Sequence, residues 1–144
     1  MTERCVRLSL AAALLWLATG LAAAPAAAGT LAGDVEKGRE TYFQCLACHS
    51  IDANRVGPMH RGLFGRTAGS VPGFAYSDAM RRAGERGLVW NDATLDAYLA
   101  APARLVPGNR MLFGGIADAE TRADLIAYLR EATALPDKNG KAAK

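Results

Sequence analysis

The chain has 144 residues and a formal net charge of +3, from 17 Lys and Arg against 14 Asp and Glu. This length suits one small domain. The charge is mild and forms no strongly basic stripe, which excludes a protein whose main partner is nucleic acid. Two of the three cysteines stand three positions apart, and this pair is the strongest functional signal in the chain.

Residues 1–28 are typical of a secretory signal peptide. Two arginines precede an apolar run from Leu8 to Ala24, and the alanines at 26–28 offer a small-residue cleavage site. Cleavage would leave a single domain, residues 29–144, and lower the net charge to +2 by removing two arginines and one glutamate. We therefore expect a periplasmic protein. The alternative is an uncleaved membrane anchor, since the run is about 17 residues, at the low edge of a membrane span.

The first predicted helix starts at Gly33-Asp34 and runs into Cys45. Acidic side chains in its first turn suit the positive end of a helix dipole. Its inner face is predicted from residues that recur at spacings of three and four, namely Val35, Gly38 and Tyr42.

The segment Cys45-Leu46-Ala47-Cys48-His49 is the c-type haem attachment sequence. Two thiols at this spacing can each add across a vinyl group of one porphyrin, and the following histidine is then held beneath the iron. The sequence therefore predicts one haem c, bound covalently through Cys45 and Cys48, with His49 as an iron ligand. A zinc site would need two further ligands, which the cysteine count denies. A redox dithiol is the remaining alternative for two cysteines so spaced.

Residues 50–89 are rich in glycine and show almost no helical period. We predict an extended loop that wraps around a central object, rather than a sheet domain. A loop of this length without secondary structure is unusual in a compact domain and normally argues against the secondary-structure assignment. A haem around which the loop can wrap removes that objection.

Two further helices are predicted in the second half. Asn91 caps a short helix that stops near Pro102. The apolar face of this helix consists of Leu95, Tyr98 and Leu99. Asp118 starts the last helix, and its buried stripe consists of Leu125, Ile126, Tyr128 and Leu129. The tail, residues 135–144, is expected to fray. The result is an all-α fold with three main helices and long loops around one haem.

The candidates for a second iron ligand are Met59, His60, Met80 and Met111. The segment 107–115 around Met111 is rigid at its proline end, flexible at its glycine end and free of helical period. Such a loop can deliver a side chain to a fixed point, so we predict Met111 as the second ligand. Met59 and Met80 are expected to fill the core. His60, constrained by Pro58, is expected to be a loop or surface histidine.

Several motifs in the same order resemble those of class I c-type cytochromes of the mitochondrial and alphaproteobacterial kind. The resemblance covers about residues 33–133. Besides the haem motif it is carried by Gly33–Gly38, Gly57-Pro58, Gly62–Arg66, Pro72–Ala79, Trp90, Tyr98-Leu99, Pro107-Gly108, Met111 and Arg122–Leu129. It implies the small all-α fold of that family.

The resemblance also implies roles for individual residues. It gives the thioethers and the axial ligands to Cys45, Cys48, His49 and Met111. Pro58 would hold the carbonyl that orients the His49 ring, and Tyr98 would lie near the Met111 sulfur. Hydrogen bonds to a buried propionate would come from Arg66, Tyr76 and Trp90, with Ser77 and Asn109 as weaker candidates. The first and last helices would cross where Gly38 and Tyr42 pack against Leu125 and Tyr128.

Some positions depart from the family pattern. Met80 stands where the mitochondrial proteins have an asparagine close to the haem, and could alter the internal polar network. The lysines that dock acidic partners in the family are replaced here by Gln44, Ala103, Arg104 and Arg110, with Arg55 nearby. We expect redox partners to dock transiently near these three arginines. The alternative is an ordinary solvated surface.

Two strong protein ligands would leave no open position on the iron, which favours one-electron transfer over enzymatic chemistry. We predict a soluble, monomeric electron carrier. Its donor would be a cytochrome bc-type complex or a dehydrogenase, and its acceptor a terminal oxidase or a photosynthetic reaction centre. Two alternatives stay open. One is a redox domain tethered by the N-terminal segment, and the other is a ligand-binding or peroxidatic haem protein in which Met111 leaves the iron.

Overall fold

The structure is a computed structural model that describes residues 32–136. In this part of the chain five α-helices are separated by long loops. They are α1 (Val35–Tyr42), α2 (Asp78–Glu85), α3 (Asp92–Ala100), α4 (Pro102–Leu105) and α5 (Ala119–Ala132). The only pairing of extended segments among these residues is an isolated antiparallel bridge between Thr67 and Val89. The predicted all-α class is confirmed.

The first helix begins where the sequence predicts, but the α-helix ends at Tyr42 instead of running into Cys45. Asp34 is its N-cap, and the Asp34 carboxylate accepts hydrogen bonds from two backbone N–H groups of the first turn. Gly38 and Tyr42 are buried on its inner face. A 3-10 turn, Phe43–Cys45, continues the helix into the haem attachment sequence.

The last helix, α5, crosses α1 and forms the centre of the core. Asp118 caps it by accepting a hydrogen bond from the backbone N–H of Thr121. Its buried stripe is Leu125, Ile126 and Leu129, and Tyr128 packs at the edge with its ring centroid 5.2 Å from that of Tyr42. The predicted contact between the first and last helices is thereby confirmed.

The third helix is also confirmed. Asn91 and Thr94 form a reciprocal capping box at its start, and its buried residues are Leu95, Tyr98 and Leu99. It ends at Ala100. Pro102 then opens the short helix α4 as its first residue, where a proline needs no N–H partner.

The prediction of an unbroken loop over residues 50–89 was wrong at residues 78–85, where α2 forms. Ser77 caps this helix by accepting a hydrogen bond from the backbone N–H of Met80. Its buried residues, Met80, Ala83 and Gly84, follow a helical spacing, but only over two turns. So short a pattern does not stand out among glycines and arginines. The three predicted helices are present as α1, α3 and α5, and α2 is a further helix of 8 residues, as long as α1.

The predicted signal peptide and most of the predicted fraying tail lie outside the described residues. Within residues 32–136, no helix combines the length and the apolar character needed to cross a membrane.

Candidate haem site

A cavity of about 370 Å³ lies between the helices and the loops that connect them. Its walls include Leu63, Leu99, Leu125 and Leu129, which are all buried. Every predicted haem-site residue lines this cavity: Cys45, Cys48, His49, Pro58, Arg66, Tyr76, Ser77, Trp90, Tyr98, Asn109 and Met111. The fold therefore brings together side chains that are far apart in the sequence.

The two cysteines lie on one tight turn at the cavity wall. The backbone N–H groups of Cys48 and His49 both donate to the Cys45 carbonyl, at 3.1 and 2.8 Å. No disulfide joins the two thiols. Burial raises the pKa of the Cys45 thiol to about 11. Within the described residues, no group of three or more His, Cys, Asp or Glu side chains is placed to hold a metal ion.

The His49 ring is held in one orientation. Its Nδ1 donates to the Pro58 carbonyl at 2.8 Å, as expected from the family pattern. This bond places the proton on Nδ1 and leaves the lone pair of Nε2 for a metal. Burial lowers the pKa of His49, which keeps the ring neutral. Gly57 lies against the ring, and a Cβ at this position would be 2.3 Å from His49 Cε1.

Met111 reaches the cavity from the loop between α4 and α5. Its backbone N–H donates to Asn109 Oδ1 at 2.8 Å, and Asn109 Nδ2 donates to the Val106 carbonyl at 2.8 Å. Both polar ends of Asn109 are thus used inside the loop. Tyr98 lines the same cavity, and burial raises the pKa of its hydroxyl to about 12.

Polar side chains gather on another part of the wall. The Arg66 guanidinium donates to the carbonyls of Arg61 and Met59, at 2.8 and 3.1 Å, and burial lowers its pKa. The Trp90 indole lines the same cavity, and its ring centroid lies 5.0 Å from that of Tyr98.

His60 is the cavity residue that sequence reasoning misplaced. It belongs to a loop, as predicted, but it lines the cavity instead of the surface. Its ring stacks on His49 with centroids 4.3 Å apart, and its Nδ1 lies 3.0 Å from the Tyr42 hydroxyl. Burial, reinforced by the nearby His49 and Arg66, lowers the pKa of His60 to about 3. A loop without period gives no signal for such an inward-facing side chain.

The remaining methionines and the predicted docking residues occupy different places. Met80 is 8% exposed and belongs to the core, as predicted, where it also lines the cavity. The prediction that Met59 fills the core was wrong, because Met59 is only partly buried and lies outside both the core cluster and the cavity wall. Arg55, Arg104 and Arg110 are all exposed.

These features together define the class of protein. An apolar cavity carries two thiols and a neutral imidazole on one turn, a methionine on a loop, and polar side chains on part of its wall. This donor set fits a haem that is attached through two thioethers. The site and the all-α fold are those of a class I c-type cytochrome.

Comparison with known proteins leads to the same class. The family model for cytochrome c matches residues 35–133. Cytochrome c2 of Afifella marina is 46% identical over 108 residues, which is 72% of this chain and 87% of that protein. Cytochrome c of Gibberella zeae is 43% identical over 105 residues, or 70% of this chain and 96% of that protein. The solved structure of cytochrome cH from Methylobacterium extorquens superposes with a TM-score of 0.64 at 41% identity, covering 68% of this chain and 98% of that one.

The chain therefore belongs to the cytochrome c family. Its cofactor is a covalently bound haem c, and proteins of this family carry electrons.

Proposed function

We propose that this protein is a periplasmic one-electron carrier whose iron is held between His49 and Met111. The observation that carries the proposal is the convergence of these two side chains on one cavity. The His49 Nδ1–H already donates to the Pro58 carbonyl, and Met111 lies on a loop that Asn109 stabilises by a hydrogen bond. With both ligands bound, the iron would have no open coordination position for a substrate.

When bound, the haem supplies the Fe(III)/Fe(II) couple. The chain's contribution is to orient and to exclude water. Pro58 fixes the plane of the His49 ring, and the buried leucines of the wall keep the surroundings apolar. A dry site with a thioether ligand disfavours extra positive charge, so it raises the reduction potential. Arg66, Tyr76 and Trp90, which all line the cavity, would donate hydrogen bonds to a propionate.

The mouth of the cavity supports a docking role. Val56 and Leu112 line the cavity yet are 79% and 104% exposed, so an apolar patch borders the opening. Arg110 lines the same opening, and Arg55 and Arg104 are exposed. We infer transient docking of acidic redox partners here: a cytochrome bc-type complex or a dehydrogenase as donor, and a terminal oxidase or a photosynthetic reaction centre as acceptor.

Docking is tested by stopped-flow electron transfer with a purified partner complex. The triple variant Arg55→Gln, Arg104→Gln, Arg110→Gln should lower the association rate and flatten its dependence on salt. Arg86→Gln, an exposed arginine after α2, is the matched control. If Arg86→Gln lowered the association rate as much as the triple variant does, the result would contradict this docking site.

The iron ligands are tested by Met111→Ala. The variant should keep its haem on a denaturing gel. In the oxidised form it should lose the far-red sulfur-to-iron absorption band, and in the reduced form it should bind carbon monoxide. Met59→Ala, which removes a methionine outside the cavity, should leave the spectrum unchanged. An unchanged ferric spectrum in Met111→Ala would show that another group is the ligand. A native protein that already binds carbon monoxide readily would favour the peroxidatic alternative.

The compartment is tested by sequencing the N-terminus of the protein purified from a periplasmic fraction. A start at Gly29 agrees with a released carrier. A start at Met1 or Thr2, together with recovery in the membrane fraction, would favour the tethered redox domain.

A further inference from the structure

The loop that carries Met111 is held at its two ends. It enters from α4, where Pro102 and Val106 are buried. It leaves at Ile116, whose backbone N–H donates to the Leu99 carbonyl at 2.8 Å. Gly115 lies so close to α3 that a Cβ there would be 2.2 Å from the Ala100 carbonyl oxygen.

The middle of the loop, at Leu112 and Gly114, makes few contacts with the rest of the protein. The Leu112 side chain is fully exposed, and a Cβ at Gly114 would meet no atom within 4 Å. The Met111 side chain packs against the core, and the loop around it is held by the Asn109 hydrogen bonds and by its two ends. A change at either end is therefore transmitted to the methionine.

One buried side chain connects the end of the loop, where it leaves at Ile116, to two helices. Arg122 of α5 donates through Nη1 to the carbonyls of Ile116 and Ala117, at 2.9 and 2.8 Å. Its Nε donates to Asp96 of α3 at 2.6 Å. The Arg122 side chain is 11% exposed, whereas that of Asp96 is 48% exposed. One guanidinium thus joins α5, α3 and the end of the loop.

The planar fork of arginine is needed for this arrangement. It presents several donors in fixed directions, and charge-assisted hydrogen bonds are stronger than neutral ones. A shorter neutral side chain at position 122 would leave two adjacent carbonyls without their donor. The loop end would then separate from α3 more often.

We propose that Arg122 is a positioning residue for Met111, and that the Arg122–Asp96 pair keeps the methionine on the iron by clamping the exit of its loop. This proposal rests on the proposed ligand role of Met111. Weakening the clamp should enlarge the fraction of molecules in which Met111 has left the iron. The apparent affinity for an added ligand rises in proportion to that fraction.

The experiment is imidazole titration of the ferric haem protein, followed by the loss of the far-red band. Arg122→Gln should bind imidazole roughly tenfold more tightly, the factor expected from losing charge-assisted hydrogen bonds. Asp96→Asn keeps the shape of the clamp but removes its carboxylate, and should shift the affinity in the same direction by less. Arg130→Gln is the matched control, because Arg130 pairs α5 with Asp92 of α3 without touching the loop.

A double-mutant cycle separates clamping of the methionine from general loosening. In a Met111→Ala background the Arg122→Gln change should no longer alter imidazole affinity, since there is no methionine to displace. An Arg122→Gln effect that persists in that background, or that Arg130→Gln reproduces, would overturn the proposal. So would wild-type affinity in both Arg122→Gln and Asp96→Asn.

Hydrogen exchange gives a readout that does not depend on ligation. The Ile116 amide should exchange faster in Arg122→Gln, while the amides of Leu125 and Leu129 in α5 stay protected. Unchanged exchange at Ile116 would also overturn the clamp. If Ile116 exchange rises but Met111→Ala leaves the ferric spectrum unchanged, the clamp on the loop is real and the ligand assignment has failed.

Discussion

Gly38 and Asp124 lie so close that a Cβ atom at position 38 would be 2.0 Å from the Asp124 carbonyl oxygen. The same hypothetical atom would be 2.8 Å from the Cβ of Tyr128. Asp124 also accepts a hydrogen bond from the Asp34 backbone N–H at 2.6 Å, which fixes the start of α1. Because α1 leads directly into Cys45, this crossing places the haem attachment turn against the core.

Gly38→Ala should lower the free energy of unfolding by about 3 kcal/mol, because the new methyl group must push two helix backbones apart. The higher helix propensity of alanine offsets only about 1 kcal/mol of this. Urea denaturation followed by circular dichroism measures the difference. Gly114→Ala, at an open position without positive φ, should change stability by less than about 0.5 kcal/mol. Equal stability of the two variants would contradict the close approach.

Gly57→Ala should disturb the His49 ring. A methyl group at position 57 collides with Cε1, so the ring must turn and lose its hydrogen bond to the Pro58 carbonyl. The hyperfine-shifted proton resonances of the oxidised protein should move, because they follow the orientation of the axial imidazole. Pro58→Ala keeps the backbone carbonyl and should leave these resonances nearly in place. The opposite order of effects would mean that the proline ring, and not the space at Gly57, controls the imidazole.

His60 should make the protein less stable in mild acid. Its pKa falls to about 3 in the folded protein from the ordinary value of 6.5. Between these values the unfolded chain binds a proton that the folded chain does not, so the free energy of unfolding decreases as the pH falls. From pH 7 to pH 5 the decrease due to this group is about 2 kcal/mol.

Urea denaturation at both pH values measures this effect. His60→Leu should lose the pH-dependent part, so its stability should fall less between pH 7 and pH 5 than that of the wild type. Identical pH profiles for the two proteins would show that His60 protonates as readily in the folded state as in the unfolded chain.

Arg66→Gln should lower the reduction potential, because a nearby half-buried cation favours the state with one more electron. A loss of about 60 mV corresponds to a tenfold change in a one-electron equilibrium. Potentiometric titration followed by absorption measures it. Arg66→Lys keeps the charge and should shift the potential by less. A potential that does not move in Arg66→Gln would place the guanidinium outside the electrostatic reach of the haem.

The local features of the fold were predictable because each depends on neighbours in the sequence. Asp34, Asn91 and Asp118 cap their helices through residues two or three positions away, and the haem motif occupies five consecutive residues. The helix α2 was missed because its apolar pattern covers only two turns. It is stabilised by burial against the 67–68 backbone, where a Cβ at Gly84 would be 2.0 Å from the Ala68 carbonyl oxygen.

The sequence by itself determined the attachment chemistry, since two thiols and a histidine at fixed spacing admit one haem, and it determined the family through motifs in a constant order. Only the tertiary structure decided the positions of two further side chains. His60 turns inward because Tyr42, which is distant in the sequence, offers a hydroxyl 3.0 Å away. Arg122 holds the Met111 loop because α3 brings Asp96 beside it. Loop residues carry no periodicity, so their direction depends on partners that only the folded chain supplies.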